Sequence, residues 1–381
     1  MSDKDDGLME SIKHFTGFGD LLFHKSSAIG VDVGSRSVKV VILEQKKGKL
    51  ILKNYTIAKT KEDLIKAGTS GVITSMAGNM IKKVAQQAEI REEKVNVSVP
   101  SFSSLITTIE IPKMPQDEIE QVVQIEAPKY IPVQLSDVVY GWQIVDDGSL
   151  PGDDKKKRET SANPRGIKVM VVAIMREISG QYEKVFQESG HAIDSLEIDS
   201  FSLTRSLARD DEECKVILDI GHKVTNILIT SKGNILVNRT IDVAGERITK
   251  AIARGMNIDE DRAEQYKLEN GVSMGAGQDG GVIAQMLDVL VNEVTQTIEV
   301  FRKDYSHLEP KSIILSGGGA YMKGLEEYIE KEAKIKTKVG NPLTGIVFPE
   351  KYKNSVLSNA PLLSVAIGLA KLPFDDKNKL Q

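Results

Sequence analysis

The chain has 381 residues, of which 40% are hydrophobic and 27% charged, an ordinary globular composition with apolar material for two or three domains. Its 50 basic and 54 acidic residues give a net charge of −4, and the longest basic run, 155–158, follows two aspartates in a loop-like stretch. This balance argues against a nucleic-acid binder. Cys214 is the only cysteine, which excludes an intrachain disulfide and a cysteine-based metal site, and we expect it in the core.

The N-terminal segment 1–26 does not resemble a secretory signal, because MSDKDD lacks a basic region followed by an apolar core. No run of 18 or more apolar residues occurs that would span a membrane. Two interpretations stay open for the segment. Leu8, Ile12, Phe15 and Leu22 fall roughly on one helical face, which favours a surface-lying amphipathic helix or a partner-binding tail. Two glycines among them favour a flexible tail instead.

An internal repetition is the most informative feature of the sequence. Residues 29–58 read as a strand, a second strand, a Lys-Lys-Gly-Lys turn at 46–49 and a third strand. Residues 216–242 repeat this scheme, with a Ser-Lys-Gly-Asn turn at 231–234 before the third strand. Each first strand ends in Asp-x-Gly. Two related β-meanders of this kind predict two facing subdomains around a shared cleft.

A block between the two meanders, 103–194, is explained by neither repeat. Its pattern is strand, helix, two strands, helix and the edge of a further strand, which predicts a compact α+β insert. Within the insert, the polar and turn-rich stretch 148–166 is predicted to be a mobile loop. Outside it, helical patterns at 71–89 and 281–303 follow the first and second meanders.

The first Asp-x-Gly turn, from Asp32 to Lys39, has the residue types of a phosphate-binding loop. Glycine at 34 lets the backbone approach a phosphate without a Cβ in the way, and the amides that follow can donate hydrogen bonds to phosphate oxygens. Lys39, on the adjoining strand, would reach the same anion. Asp32 would hold a hydrated Mg²⁺, which needs few protein carboxylates. Taken alone, the motif also fits an ordinary hairpin.

Two further motifs point to the same chemistry. The second turn, from Asp219 to Asn226, supplies a matching loop from the other meander, so that the two turns would clamp a polyphosphate with the metal between them. An apolar strand at 312–315 then runs into Ser316-Gly-Gly-Gly319, whose glycines permit close approach of the backbone to a flat ring or a sugar. In isolation, this last motif also fits a plain strand–helix turn.

In this order, the three motifs resemble the phosphate-1, phosphate-2 and adenosine motifs of the actin/Hsp70/sugar-kinase superfamily. The resemblance covers about 27–372 and implies an α/β, two-lobed fold of duplicated ribonuclease-H-like subdomains, with an α+β insert, that binds ATP and Mg²⁺. It implies Asp32 and Asp219 as metal residues and Asp199 and Asp219 as catalytic residues, with Asp199 orienting the attacking water. The residues that it implies for nucleotide contact are Gly34, Ser35, Arg36, Ser37, Lys39, Gly221, Lys223, Thr225, Asn226, Gly245, Glu264, Lys267, Gly317, Gly318 and Gly319.

The same resemblance divides the chain into domains. The helices at 199–208 and 361–370 would connect the two lobes. The expected domains are an N-terminal tail at 1–26, a first lobe at 27–102, 195–213 and 361–372, the insert at 103–194, and a second lobe at 214–360.

Within the superfamily, the chain most resembles the PilM family of type IV pilus assembly and next the division protein FtsA. The segments Glu126-Ala-Pro-Lys-Tyr-Ile-Pro132 and AEQYKLENG at 263–271 carry the PilM-like features. In both families, an α+β insert placed elsewhere replaces the small subdomain of actin, as 103–194 would here. The short polar end FDDKNKLQ does not resemble the C-terminal amphipathic membrane helix expected of FtsA.

The PilM resemblance implies a cytoplasmic ATP-binding scaffold at the inner face of the inner membrane, with a groove beside the insert for the N-terminal tail of PilN. The pilus motor ATPase, the platform protein and further copies of the chain are the other partners that it implies. Because Asp199 and Asn226 differ from the residues usual at these positions, it implies weak ATP hydrolysis at most. Two alternatives stay open: an FtsA-like membrane tether that polymerises, and a small-molecule kinase, for which no general base stands out.

Overall fold

The structure is a computed structural model that describes residues 26–65, 72–90, 94–146, 166–209, 212–272 and 278–375. The predicted N-terminal tail, apart from Ser26, and nearly all of the predicted loop at 148–166 lie outside these residues.

The described residues form fourteen β-strands and ten α-helices. The strands are β1 (Ser27–Val33), β2 (Ser37–Lys46), β3 (Lys49–Lys59), β4 (Lys94–Val99), β5 (Ser104–Ile111), β6 (Val138–Asp146), β7 (Ile167–Met175), β8 (Ala192–Ile198), β9 (Lys215–Ile220), β10 (Thr225–Ser231), β11 (Asn234–Ile241), β12 (Ser312–Ser316), β13 (Thr337–Val339) and β14 (Ile346–Val347). The α-helices are α1 (Ser75–Gln87), α2 (Gln116–Glu126), α3 (Arg176–Glu188), α4 (Asp199–Leu207), α5 (Gly245–Met256), α6 (Glu260–Asn270), α7 (Gln278–Asp304), α8 (Leu325–Ala333), α9 (Lys353–Asn359) and α10 (Ser364–Lys371).

The two predicted meanders build two sheets of the same topology. The first sheet has the order β14-β3-β2-β1-β4-β8 and the second the order β11-β10-β9-β12-β13. In each sheet three antiparallel strands are followed by two strands that run parallel to the first strand of the meander. The shared order confirms the duplication predicted from the sequence.

The two hairpin turns that mark the repetition also share their geometry. Lys47 and Gly48 have φ values of 50° and 74°, and Lys232 and Gly233 have φ values of 52° and 78°. Two central residues with positive φ form the mirror-image turns whose twist matches that of paired strands. Glycine at the second position makes this conformation accessible, so the predicted turns follow directly from the local sequence.

The insert is a separate three-stranded antiparallel sheet of order β5-β7-β6, with α2 packed against it. Ile109, Ile119, Val123 and Val169 are buried between the sheet and the helix and give the insert its own core. This strand and helix arrangement is the α+β one predicted for the insert.

The C-terminal boundary of the insert differs from the predicted 194. Strand β8 pairs in parallel with β4 of the first sheet, and α3 packs against α1 and β8. Tyr182 and Phe186 of α3 are fully buried in the large core of the lobes. The insert therefore ends at Met175, because the α3–β8 unit completes the first sheet.

The second lobe is also shorter than the predicted 214–360. Strand β14 pairs with β3 of the first sheet, and Leu343 and Val356 lie in one apolar cluster with Leu43 and Leu52. Residues 343–360 therefore pack on the first lobe, where they cover the outer edge of its sheet.

The helices α4 and α10 cross between the lobes, as predicted for the two connecting helices. They are in close contact at the crossing, since a Cβ on Gly368 would lie 2.0 Å from the backbone oxygen of Ser202. The guanidinium of Arg205 in α4 is buried, donates to Glu197 at 2.7 Å and donates to the backbone oxygen of Gly368 at 3.1 Å. Removing one partner of a buried pair of this kind is strongly destabilising, so these bonds stabilise the contact between α4 and α10.

One described stretch, Glu350–Phe374, is long and apolar enough to cross a membrane by length and composition alone. In the fold it is divided among several short helices that include α9 and α10, and 67% of its apolar window is buried inside the protein. Its apolar side chains belong to the core under the first sheet.

Candidate functional site

A cleft of about 520 Å³ lies between the two large sheets, where β1 and β9 end. All residues predicted to contact nucleotide or metal line this cleft, apart from Thr225. Thr225 is fully buried, and its hydroxyl donates to the backbone oxygen of Val243 at 2.6 Å. Since neighbouring side chains of a strand point to opposite faces, β10 presents Asn226 to the cleft and turns Thr225 away from it.

The first Asp-Gly loop is closed by a backbone hydrogen bond from Gly34 N to Ser37 O at 2.8 Å. Asp32 and Lys39 face each other across the β1–β2 pair and are both buried, with Lys39 Nζ 2.8 Å from Asp32 Oδ2. This ion pair places a carboxylate and an ammonium side by side under the loop, which are the two groups needed for a metal ion and a phosphate.

The second Asp-Gly loop repeats this geometry on the other lobe. A bond of 3.0 Å from Gly221 N to Val224 O closes it, and Gly245 N at the start of α5 donates to Gly221 O at 3.1 Å. Burial raises the pKa of Asp219 to about 6, and the nearby charge of Asp32 adds to this effect. A carboxylate that is expensive to ionise in isolation is well suited to a bound cation.

The glycine turn after β12 lies directly against the second loop. Gly317 has φ 78° and ψ −175°, a region of backbone conformation that is almost confined to glycine. A Cβ at Gly317 would lie 2.5 Å from the backbone oxygen of Ile220 and 2.9 Å from Oδ1 of Asp219. The absence of a side chain therefore keeps this part of the cleft open beside Asp219.

Asp199, the first residue of α4, joins the two lobes through hydrogen bonds. Its Oδ1 accepts from the backbone N of Ser101 at 3.1 Å and from the Ser101 hydroxyl, and its Oδ2 accepts from Asn226 Nδ2 at 3.2 Å. Burial raises the pKa of Asp199 to about 7, and the charges of Asp219 and Asp32 contribute to the rise. The buried Asp32 and the half-buried Asp199 and Asp219 thus line the same cleft.

The far end of the cleft is lined by a network on α5 and α6. Lys267 is buried, and its Nζ lies 2.6 Å from Glu264 Oε2, 2.8 Å from Thr249 Oγ1 and 3.1 Å from the backbone oxygen of Gly245. Burial by itself would raise the pKa of Glu264, but the hydrogen bonds from Lys267 and Thr249 hold this pKa below its ordinary value. The predicted pair of Glu264 and Lys267 is therefore a fixed hydrogen-bonding surface that faces the cleft.

Several residues of the site were not predicted. Ser101 donates to Asp199, Asp63 accepts from the cations of both phosphate loops, and Glu246, at the start of α5, lies 3.7 Å from the Arg36 guanidinium. Ser98, which lines the cleft, was not predicted either. Its position could have been predicted from the alternation along β4, since Ser98 falls on the face of the strand that carries polar side chains. Asp63 lies in a charged stretch that has no recognisable pattern.

The residues present fit a nucleotide with a hydrated Mg²⁺. Among the residues that the structure describes, no group of three or more His, Cys, Asp or Glu side chains could hold a metal ion by itself. A cation at Asp32 and Asp219 would therefore complete its shell with water and phosphate oxygens, as Mg²⁺ usually does. Because the pKa values of Asp199 and Asp219 are raised, a cation bound near them would stabilise their ionised forms.

Comparison with known proteins agrees with this architecture. The family model described as type IV pilus assembly protein PilM matches residues 30–373. Cell division protein FtsA of Pseudomonas aeruginosa is 27% identical over 225 residues, which are 53% of this chain and 52%, about half, of that protein. FtsA of Helicobacter pylori is 23% identical over 361 residues, which are 80% of this chain and 73% of that protein.

Solved structures show the same fold. The structure named PilM-PilN type IV pilus biogenesis complex is similar with a TM-score of 0.76 and 24% identity, covering 91% of this chain and 98% of that chain. Ethanolamine utilization protein EutJ from Carboxydothermus hydrogenoformans is similar with a TM-score of 0.52 and 13% identity, covering 96% and 99% of the two chains. The fold is the predicted two-lobed actin-like one. Because the family model spans most of its length, the chain belongs to the type IV pilus assembly protein PilM family.

Proposed function

We propose that the chain is an ATP-binding scaffold of the type IV pilus assembly platform. The nucleotide part of the proposal rests on one observation: two Asp-Gly loops and a glycine turn, far apart in the sequence, line a single cleft together with the buried Asp32 and the half-buried Asp199 and Asp219. The pKa values of Asp199 and Asp219 are raised, and carboxylates perturbed in this way concentrate at functional sites. The proposed ligand is ATP with Mg²⁺.

Each part of the cleft has a role in this proposal. The backbone amides that follow Gly34 and Gly221 would donate to phosphate oxygens, and Arg36, Lys39 and Lys223 would supply positive charge. Asp32 and Asp219 would hold Mg²⁺ through its water molecules. When bound, Mg²⁺ would balance the negative charge of these carboxylates.

The proposal includes slow hydrolysis rather than rapid turnover. Asp199 is the one carboxylate placed to orient water, but both of its oxygens accept hydrogen bonds from Ser101 and Asn226. These three bonds occupy most of the about four acceptor sites of the carboxylate, which leaves little of it to hold and polarise a water molecule. ATP would then act mainly by binding, as a ligand that favours one arrangement of the lobes.

The insert is the proposed surface for the partner. Ile125, Tyr130 and Val133 are exposed on α2 and the segment after it, with 66%, 49% and 42% of their surface accessible, and none of them lines the cleft. Exposed apolar side chains that lie close together mark interaction surfaces. We therefore infer that this part of the insert contributes to binding the N-terminal tail of a PilN-like protein, at the cytoplasmic face of the inner membrane.

The insert also contacts the second lobe, which supports a link between its surface and the cleft. Lys168 Nζ lies 3.8 Å from the centre of the Tyr305 ring and 3.1 Å from the backbone oxygen of Asp304. Gln143 Nε2 donates to Asn234 Oδ1 at 3.1 Å. Because the insert is rooted in the first lobe, a change in the angle between the lobes would alter these contacts and the position of the insert.

One calorimetric experiment tests both parts of the proposal. Mg²⁺-ATP and a synthetic peptide of the PilN-like tail are titrated separately into the nucleotide-free wild type, Asp32→Ala and Tyr130→Ser. Asp32→Ala is expected to lose most of its ATP affinity and keep the peptide, whereas Tyr130→Ser is expected to lose peptide affinity and keep ATP. Unchanged ATP binding by a folded Asp32→Ala protein would refute the cleft assignment. Unchanged peptide binding by Tyr130→Ser would refute the surface assignment.

A further inference from the structure

Asp63 bridges the two phosphate loops, although it belongs to neither of them. Its Oδ1 accepts from Arg36 Nε in the first loop at 3.3 Å, and its Oδ2 accepts from Lys223 Nζ in the second loop. The segment around Asp63 is fixed against the first loop by backbone bonds from Thr60 N to Arg36 O at 3.0 Å and from Leu64 N to Ser35 O at 2.8 Å. The carboxylate is thus held in place between the lobes by its own backbone.

The bridge is partly shielded from solvent. The exposed fractions of the side chains are 36% for Asp63, 33% for Arg36 and 13% for Lys223. Burial by itself would raise the pKa of Asp63, but the bonds and charges of Lys223 and Arg36 hold it below its ordinary value. Asp63 is therefore ionised at neutral pH, and its one negative charge is shared by two of the cations that line the cleft.

A carboxylate and a phosphate take the same donors. The guanidinium of arginine and the ammonium of lysine bind both anions through charge-assisted hydrogen bonds. Arg36 and Lys223 line the cleft, each on the loop whose amides face it, whereas Asp63 is not among the lining residues. A set of N–H donors that is already engaged by an internal anion must exchange that anion before it can hold another.

We propose that Asp63 is an internal competitor of phosphate, which holds Arg36 and Lys223 when no nucleotide is bound and yields them to the polyphosphate when it enters. This inference rests on the proposed nucleotide function and adds a built-in limit on affinity to it.

The test compares Asp63→Asn with the wild type in calorimetric titrations with Mg²⁺-ATP, Mg²⁺-tripolyphosphate and adenosine. Removing the competing charge is expected to tighten the binding of ATP and of tripolyphosphate by about two- to fivefold, the range of a partly exposed ion pair, and to leave adenosine unchanged. The matched control is Lys61→Ala, which removes another ion pair between the lobes, from Lys61 Nζ to Asp261 Oδ2 at 2.7 Å, whose side chains are 81% and 77% exposed. It should leave all three affinities unchanged.

Weaker or unchanged ATP binding by folded Asp63→Asn, beside a wild type that binds ATP, would overturn the inference and leave the proposed function intact. Such a result would mean that the bridge organises the site instead of competing for it. A wild type that binds neither ATP nor tripolyphosphate would overturn the proposed function itself. If Asp63→Asn fails to fold, the same titrations are made on Asp63→Glu, which keeps the charge on a longer side chain, and on Asp63→Ser, which removes it. Asp63→Ser should then bind ATP and tripolyphosphate more tightly than the wild type, and Asp63→Glu should stay closer to the wild type.

Discussion

Replacing Asp219 with asparagine is expected to stabilise the nucleotide-free protein at pH 7 and above, and to abolish its stabilisation by Mg²⁺ and ATP. The variant keeps the size of the side chain and removes its charge. In the folded chain, burial first and then the charge of Asp32 raise the pKa of Asp219 from an ordinary value of 3.8 to about 6. Between pH 3.8 and about 6, the folded protein therefore holds a proton at Asp219 that the unfolded chain has already released.

The sign and size of the effect follow from this difference. Between pH 3.8 and about 6 the folded state binds more protons than the unfolded state, so the free energy of unfolding falls as the pH rises. Above this interval the ionised side chain costs the folded state about 3 kcal/mol, because each pKa unit corresponds to about 1.4 kcal/mol. Asp219→Asn does not carry this cost. Its advantage over the wild type should be largest at pH 8 and should disappear towards pH 4.

The measurement is urea unfolding followed by circular dichroism between pH 5 and 8, in EDTA and again with Mg²⁺ and ATP. Asp242→Asn is the matched control, because its side chain is 86% exposed and the substitution should leave the pH dependence unchanged. The wild type should gain stability from Mg²⁺ and ATP with the logarithm of the ligand concentration once this exceeds Kd, whereas Asp219→Asn should gain little. A variant that is less stable than the wild type at pH 8 without ligand would refute the reasoning.

Two other substitutions probe the base of the cleft and the glycine turn. Asp199→Ala should lower the rate of ATP hydrolysis, measured by phosphate release, and leave ATP affinity largely unchanged, because orienting water is a task of the transition state. A rapid wild-type ATPase, or a rate that the substitution does not change, would contradict this role of Asp199. Gly317→Ala should destabilise the protein by about 2 to 5 kcal/mol in urea unfolding, since it combines a backbone region confined to glycine with a Cβ placed against Ile220 O. Gly48→Ala has a similar φ of 74° with no atom within 4 Å of the new Cβ, so it should cost about 1 kcal/mol, and equal losses in the two variants would disprove the packing argument.

Much of the candidate site could be predicted from the sequence because its motifs are local. Asp32 and Gly34 are two positions apart at the end of one strand, and the strand itself fixes where they lie. The same holds for Asp219 and Gly221. Asp63 and Ser101 could not be predicted, because their roles depend on which loop packs beside them and neither has a neighbour in the sequence that marks it.

The sequence by itself determined the two meanders and their Lys-Gly turns, since alternation and positive φ are properties of a few consecutive residues. Only the tertiary structure decided the extent of the lobes. Strand β8 joined β4, and β14 joined β3, across long stretches of chain. It also decided that Thr225 faces away from the cleft and that the carboxylates at 199 and 219 titrate near neutral pH. These features arise from burial and from charges on distant segments, which no local pattern of residues records.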